Sequence, residues 1–453
     1  MTKRSSPTRD ISAVSSRRAV LKALGLASAL CPFGGMAVAE GTATPPAGRH
    51  VTDAPVANAA SPHDRVPFHG AHQAGITTPR PANGMIASFD VVADTPDALE
   101  RLFRRLTQRI SFLTAGGTID ETDPRLPPPD SGIVGPVVRP DGLTVTVSLG
   151  ASLFEDRPWL VRLKPRRLIR MTRFPNDALD RQNCHGDLAL QICANTQDTT
   201  IHALRDIIKN CPDQLILKWK QEGNVPVIVP GPDGTVQSAR NFLGFRDGSA
   251  NPDAADAALM DRLVWVGEDR DEPAWAVGGS YQAVRIIRNF VERWDRTPLR
   301  EQELIMGRVK NSGAPLHRRG GHEFMVPDFS DDPKGVTTPV DAHIRLANPR
   351  TDDTRDSLIL RRPFNYSNGV TRSGQLDQGL LFICYQADLE RGFIAVQRRL
   401  DGEPLEEYIK PVGGGYFYVL PGVHSDADHL GSALIAAART GLAESVNREK
   451  RTR

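Results

Sequence analysis

Cysteine is scarce, with five in 453 residues, which excludes a small domain stapled by disulfides. None of the five forms a CxxC pair, so neither a zinc knuckle nor a redox dithiol is indicated. Aromatic residues make up only 6% of the chain. No stretch approaches the ~18–20 uninterrupted apolar residues that a membrane-spanning helix needs. An excess of one charge is also missing, since the formal net charge is +2. That charge is unevenly placed: residues 1–39 carry +5, which leaves −3 for the remainder. A slightly acidic body lacks the basic footprint of a nucleic-acid binder. With no compositional extreme, collagen-like, coiled-coil and wholly disordered chains are excluded. The 40% hydrophobic content over this length suffices for two domains or one large one.

The N-terminus reads as a targeting segment. Ser16-Arg17-Arg18-Ala19-Val20-Leu21-Lys22 has the form of a twin-arginine motif, with Val20 where Phe is usual. A weakly apolar run at 23–30 follows, then Pro32 and the small-x-small site Ala37-Val38-Ala39, so cleavage is expected after Ala39. The twin-arginine route carries folded proteins, often with a cofactor seated, to the periplasm. Cys31 leaves with the signal, and Cys193 and Cys384 lie in apolar strand-like runs where a buried thiol acts as a small hydrophobe. Residues 40–82, rich in Ala, Pro, Gly and His, read as an extended arm.

The body repeats its own order. An apolar run at 85–92 leads into Thr95-Pro96, an N-cap and first-turn pair, and a helical stripe at Leu99, Leu102, Phe103, Leu106, Ile110 and Leu113. Leu188, Leu190 and Ile192 alternate as a strand, and Ile201, Leu204, Ile208 and Cys211 mark a second helix. The later half offers a strand at 281–290, a Thr297-Pro298 pair, a strand around Leu380, Phe382 and Cys384, and a helix marked by Leu389, Phe393, Val396 and Leu400. Pairing Ile86 with Val284 gives an offset of 198, and pairing Ile192 with Ile383 gives 191. Two similar offsets predict an α+β fold built as a tandem pair of ferredoxin-like β-α-β halves, at 83–235 and 236–453.

Taken singly, the candidate chemical groups read as ordinary loops. Asp247 lies in Gly244-Phe245-Arg246-Asp247-Gly248, His343 in a stretch ending Asn348-Pro349-Arg350, and Arg361 in Arg361-Arg362-Pro363. His424, Asp426, Asp428 and His429 offer four potential metal ligands within six residues, but a helix starts directly afterwards, so the aspartates fit as caps. His317 to His322 reads as a basic loop, and Gly413-Gly414-Gly415 lacks the Lys and helix start of a phosphate cradle.

Taken in order, the motifs form a set. Pro67-Phe68-His69-Gly70-Ala71-His72-Gln73-Ala74-Gly75-Ile76 opens it, followed by 244–248, Gly278-Gly279-Ser280-Tyr281, Trp294-Asp295, Gly307-Arg308, His343–Arg350 and Leu360-Arg361-Arg362. This set resembles the dye-decolourising (DyP-type) haem peroxidases over roughly residues 65–440. With the twin-arginine motif, it is most similar to the exported deferrochelatase/peroxidase subgroup that accompanies bacterial ferrous-iron uptake. The resemblance implies one haem b per chain, held mainly by the C-terminal half, with His343 as the proximal ligand of the iron. It implies Asp247 as distal acid and Arg361 as distal arginine. Gly248, Ser249, Ala250, Asn348, Pro349 and Arg350 would line the haem, and Arg308 would meet a propionate. Hydrogen peroxide and an electron donor are the implied substrates, with haem or another porphyrin a further one. Iron-uptake proteins and a second copy in a homodimer are the implied partners.

The residue types suit the chemistry. Heterolysis of peroxide moves a proton from one oxygen to the other, which one carboxylate can do as base and then as acid. A guanidinium remains charged and stabilises the departing oxygen. Two residues past Arg361 stands Pro363, where some relatives carry a distal Asn, so this chain would rely on Asp247 and Arg361. Trp219, Trp265, Trp275, Trp294, Tyr366 and Tyr385 are candidate electron relays, although each is also a natural core residue. Two other readings compete. A haem-delivery protein would need His343 without Asp247 and Arg361, and a ferric-ion or solute-binding protein would need the 424–429 cluster instead.

Overall fold

The computed structural model describes residues 61–119, 123–226 and 236–452, so the expected signal and the first part of the arm lie outside the described residues. Eight strands carry the fold: β1 (Asn83–Val91), β2 (Thr144–Gly150), β3 (Leu188–Ala194), β4 (Leu215–Asn224), β5 (Ser280–Asn289), β6 (Phe364–Val370), β7 (Leu376–Gln386) and β8 (Ile409–Val419). A two-residue strand, Leu360–Arg361, adds to β7 ahead of β6. Strand order along the sheet is β5-β8-β2-β3-β1-β4-β6-β7, and β7 also pairs with β5, which closes the sheet on itself.

Within that ring each half has the same internal order. The first half runs β2-β3-β1-β4 and the second β6-β7-β5-β8, both antiparallel. That order, with helices crossing after the first and third strands, is the ferredoxin-like arrangement, and the fold is a tandem pair of such halves. The seams are short, Asn224 against Asn365 on one side and Gly150, Leu149 and Ser148 against Phe417, Tyr418 and Val419 on the other. Offsets of 198 and 191 match first strand with first strand and third with third.

Strand alternation separates two cores. One face of the closed sheet buries Ile86, Val284, Ile286, Phe364, Ile383, Tyr385 and Phe417 together. The other face of the first half, with Met85, Phe89, Leu188 and Leu190, packs against helices α1 (Pro96–Ala115) and α2 (Gln197–Asn210). α1 starts where Thr95 Oγ1 accepts from Ala98 N at 3.2 Å, with Pro96 in the first turn. Its stripe of six apolar side chains, Leu99 to Leu113, is fully buried. At roughly 1.5–3 kcal/mol each, that burial stabilises the helix by on the order of 10 kcal/mol before entropy is counted. In α2 the stripe turns by one residue: Ile207 is buried, whereas Ile208 is exposed.

The second half departs from the expected pattern in two places. Helix α3 (Leu299–Met306) has no side-chain cap, because Pro298, which has no side-chain acceptor, holds the N-cap position; the Thr297 hydroxyl donates to Arg293 O at the end of the preceding turn. The stripe from Leu389 to Leu400 is a π-turn, Glu390–Ile394, running into a short α-helix, Ala395–Leu400. Between β5 and β6 a long insertion carries α3 and the five-residue helix α4 (His343–Ala347). The described part of the arm is built into the sheet: Gln73 Nε2 donates to Val147 O and Leu420 O, both at 2.8 Å. No helix among the described residues is long and apolar enough to cross a membrane.

Candidate active site

Against the second half lies a cavity whose walls combine Leu243, Phe245, Ile287, Leu380, Phe382 and Phe393 with a few polar groups. Asp247, Gly248, Ser249, Ala250, Arg308, His343, Asn348, Arg350 and Arg361 all line it. Pro349, the remaining residue of the expected set, is absent from that lining.

Asp247 is carried by a hairpin. Asp247 N donates to Ala239 O at 2.8 Å and Asn241 N to Phe245 O at 3.0 Å, with the turn made at Gly244, whose φ is 85°. A side chain at that glycine would also run into Lys310. Arg361 reaches the cavity from the two-residue strand, opposite Cys384. Asn251 clamps its main chain on both sides, accepting from Arg361 N at 3.0 Å and donating to Arg361 O at 2.7 Å. The guanidinium then donates to Asp247 Oδ1 at 2.5 Å, with Asp247 13% exposed and Arg361 27%. Strand alternation sends Arg362 the other way, where it donates to Thr78 O and Pro79 O. Pro363 is outside the lining, and its carbonyl accepts from Arg80.

His343 is at the start of α4, which packs so closely on the end of α3 that a side chain at Gly307 would strike Ile344. Arg399 caps the other end of α4, donating to Leu346 O and Ala347 O. His343 Nδ1 lies 2.7 Å from Glu403 Oε2, a carboxylate only 4% exposed, while the imidazole is 29% exposed. The arrangement makes Nδ1 the protonated nitrogen and leaves Nε2, with no hydrogen-bond partner among the described residues, available to a metal. Burial works to lower the imidazole pKa, but the Glu403 charge and hydrogen bond outweigh it and hold the pKa above its ordinary value.

These residues fit a haem. An imidazole oriented by a carboxylate is one wall of the site, and an Asp–Arg pair belongs to the same cavity. Arg308 and Arg350 bring positive charge to the lining, and neither has an ion-pair partner among the described residues, which suits two propionates. Burial, together with the neighbouring Arg350 charge, pulls the Arg308 pKa down to about 10. Arg350 adopts a left-handed backbone with φ of 66°, uncommon for a side chain of this size. Glu403 and Asn251 carry no sequence signal of their own: Glu403 is 60 residues from His343 and Asn251 is 110 from Arg361.

The alternative metal cluster is dispersed. Asp426 points to His69, His429 to Glu100, and Asp428 holds the start of the C-terminal helix. No group of three or more His, Cys, Asp or Glu among the described residues could hold a metal ion. Trp219, Trp265, Trp275, Trp294, Tyr366 and Tyr385 are all buried.

Comparison with known proteins places this geometry. Residues 73–224 match the N-terminal domain of Dyp-type peroxidases and residues 238–424 the C-terminal domain. A deferrochelatase of Escherichia coli O157:H7 is 55% identical over 421 residues, 93% of this chain and 97% of the relative. Among solved structures, a DyP-type peroxidase from Cellulomonas bogoriensis is 35% identical, with a TM-score of 0.72 over 83% of this chain and 99% of that one. DtpA from Streptomyces lividans, solved as an oxyferrous complex, is 34% identical with a TM-score of 0.74 over 84% and 99%. The chain belongs to the DyP-type peroxidase family, as a haem-dependent peroxidase.

Proposed function

We propose that this chain is an exported haem b peroxidase that reduces hydrogen peroxide at the expense of an electron donor, and that it also releases iron from haem. The observation that carries the reading is the meeting, in one cavity, of a carboxylate-backed imidazole with an Asp–Arg pair. When bound, haem supplies the redox-active iron. His343 Nε2 would hold that iron, with Glu403 fixing the ring and making it a stronger donor, and Arg308 and Arg350 would receive the propionates. Asp247 takes the proton from one peroxide oxygen and returns it to the other as the O–O bond breaks, so that water leaves. Arg361 stabilises charge on the departing oxygen and holds the Asp247 carboxylate in place. The apolar lining lowers the local polarity and so strengthens both interactions.

Iron release rests on the 55% identity to a deferrochelatase. Release of Fe²⁺ from ferrous haem would require two protons for the porphyrin nitrogens, which Asp247 would relay from solvent one at a time, and ferric haem would first have to take one electron from the donor. Twin-arginine export, cleavage after Ala39, a periplasmic location, an iron-uptake context and a homodimer belong to the same reading, as does the division into an arm at 40–82 and halves at 83–235 and 236–453. Asp247→Asn tests it. Full haem occupancy with peroxide turnover reduced at least a hundredfold is expected, and unchanged turnover overturns the assignment of the acid. Metal-free porphyrin recovered after incubation with haem tests the second activity. A haem-delivery protein would keep its haem and be indifferent to peroxide in both wild type and variant.

A further inference from the structure

Glu323 is a carboxylate 3% exposed, in a loop remote in sequence from Asp247, and no step above uses it. Its two oxygens hold the two arms of the hairpin that carries the acid. Oε1 accepts from Ser238 N at 2.9 Å on the incoming arm, and Oε2 accepts from Ser249 Oγ at 2.8 Å just beyond Asp247. Arg246 Nε approaches Oε1 at 3.8 Å, too far for a hydrogen bond. The main-chain carbonyl of Glu323 accepts from Arg308 NH1 at 2.9 Å, and the same nitrogen donates to Gly313 O at 2.7 Å. One residue therefore ties Asp247 and its glycine to the arginine offered to a propionate. Gly313 allows the approach, since a side chain there would strike Glu323 Cβ and Arg246.

We propose that Glu323 is a positioning residue that fixes the Asp247 carboxylate for its proton transfer and couples the hairpin to the Arg308 side of the cavity. The inference rests on the reading of Asp247 as the acid. Freed at both arms, the hairpin pivots about the Asn241–Gly244 turn and Asp247 loses its register with Arg361. A displacement of about 1 Å at a proton-transferring group costs about a hundredfold in rate. Glutamine reproduces the clamp, its amide oxygen accepting from Ser238 N and its NH₂ donating to Ser249 Oγ, so geometry and charge can be separated.

The test uses the haem-loaded full chain and measures the second-order rate of reaction with hydrogen peroxide, the steady-state KM for the donor and the Soret absorbance. Glu323→Ala is expected to slow the peroxide reaction about ten- to hundredfold while haem content and donor KM stay at wild-type values, and Glu323→Gln to restore most of the rate. A wild-type rate in Glu323→Ala overturns the proposal, as does equal slowing in both variants, which would assign the effect to charge. If Glu323→Ala fails to fold or load haem, Ser249→Ala decides, since it releases one arm alone. A severalfold slower peroxide reaction supports the clamp and an unchanged one overturns it. Asp247→Asn run alongside separates the two levels. Slow Asp247→Asn beside fast Glu323→Ala removes the positioning role alone, whereas fast Asp247→Asn removes the acid reading beneath it.

Discussion

Replacing Glu403 with glutamine isolates the charge behind His343. The carboxylate lies 2.7 Å from Nδ1 and is 4% exposed, so water does not screen it. Glutamine keeps an acceptor at the same place and removes only the charge. A hydrogen bond to a charged group is worth ~1.5–3 kcal/mol and a neutral one ~0.5–1.5, so the loss is about 1–1.5 kcal/mol, or about tenfold in haem affinity. Partners one step behind a metal ligand cost ~10–100-fold when removed, which sets the upper bound. Haem transfer from the protein to an excess of an apo-globin scavenger reads this directly, with the off-rate of Glu403→Gln about tenfold faster. The iron reduction potential should rise in the same variant, because a less polarised imidazole donates less charge. An unchanged off-rate together with an unchanged potential would refute the claim that Glu403 tunes the ligand.

Three further outcomes are expected. Arg361→Lys keeps a positive charge but loses the rigid guanidinium whose NH1 donates to Asp247 Oδ1, so peroxide turnover falls by about 10²–10³ with haem content intact, as measured by initial rates at varied peroxide. Gly84→Ala drives a methyl group into the buried Phe364 ring, a clash that the packed core must absorb, and denaturant titration should show a loss of about 1–3 kcal/mol. Glu100 has its pKa lowered from 4.5, mainly by the Arg104 hydrogen bond and then by Arg439. Its contribution is therefore complete above pH 4.5 and is lost as the pH falls through the lower folded value, so Glu100→Gln should flatten the stability loss in that acid window, followed by thermal melts from about pH 5 to about pH 2.

Much of the fold was legible in the sequence because its elements obey local rules. The fully apolar face of α1 and its Thr95-Pro96 start need no tertiary knowledge. The duplication showed because equivalent strands kept their apolar pattern at similar offsets. Closure of the two sheets into one ring was not legible, since it depends on edge contacts as brief as Asn224 with Asn365. Thr297 misled because the helix begins one residue later than the Thr-Pro pair suggests, which leaves Pro298, not Thr297, at the N-cap. Of the site, Asp247, His343 and Arg361 stood out by resemblance to a family and not by spacing. Glu403, Asn251 and Glu323 stayed silent, as a buried partner is chosen by proximity in the fold and each of these sits in an unremarkable loop. The 424–429 cluster shows the converse: Asp426 and His429, close in sequence, point to different neighbours, His69 and Glu100.

The central claim, that His343 holds a haem which peroxide acts on, is tested most directly by the absorption spectrum of the purified protein. Wild type and His343→Ala are compared before and after one equivalent of hydrogen peroxide. The account predicts a Soret band in wild type that shifts with peroxide and is lost in the variant. A Soret band that ignores peroxide, or one that survives in His343→Ala unchanged, would contradict it.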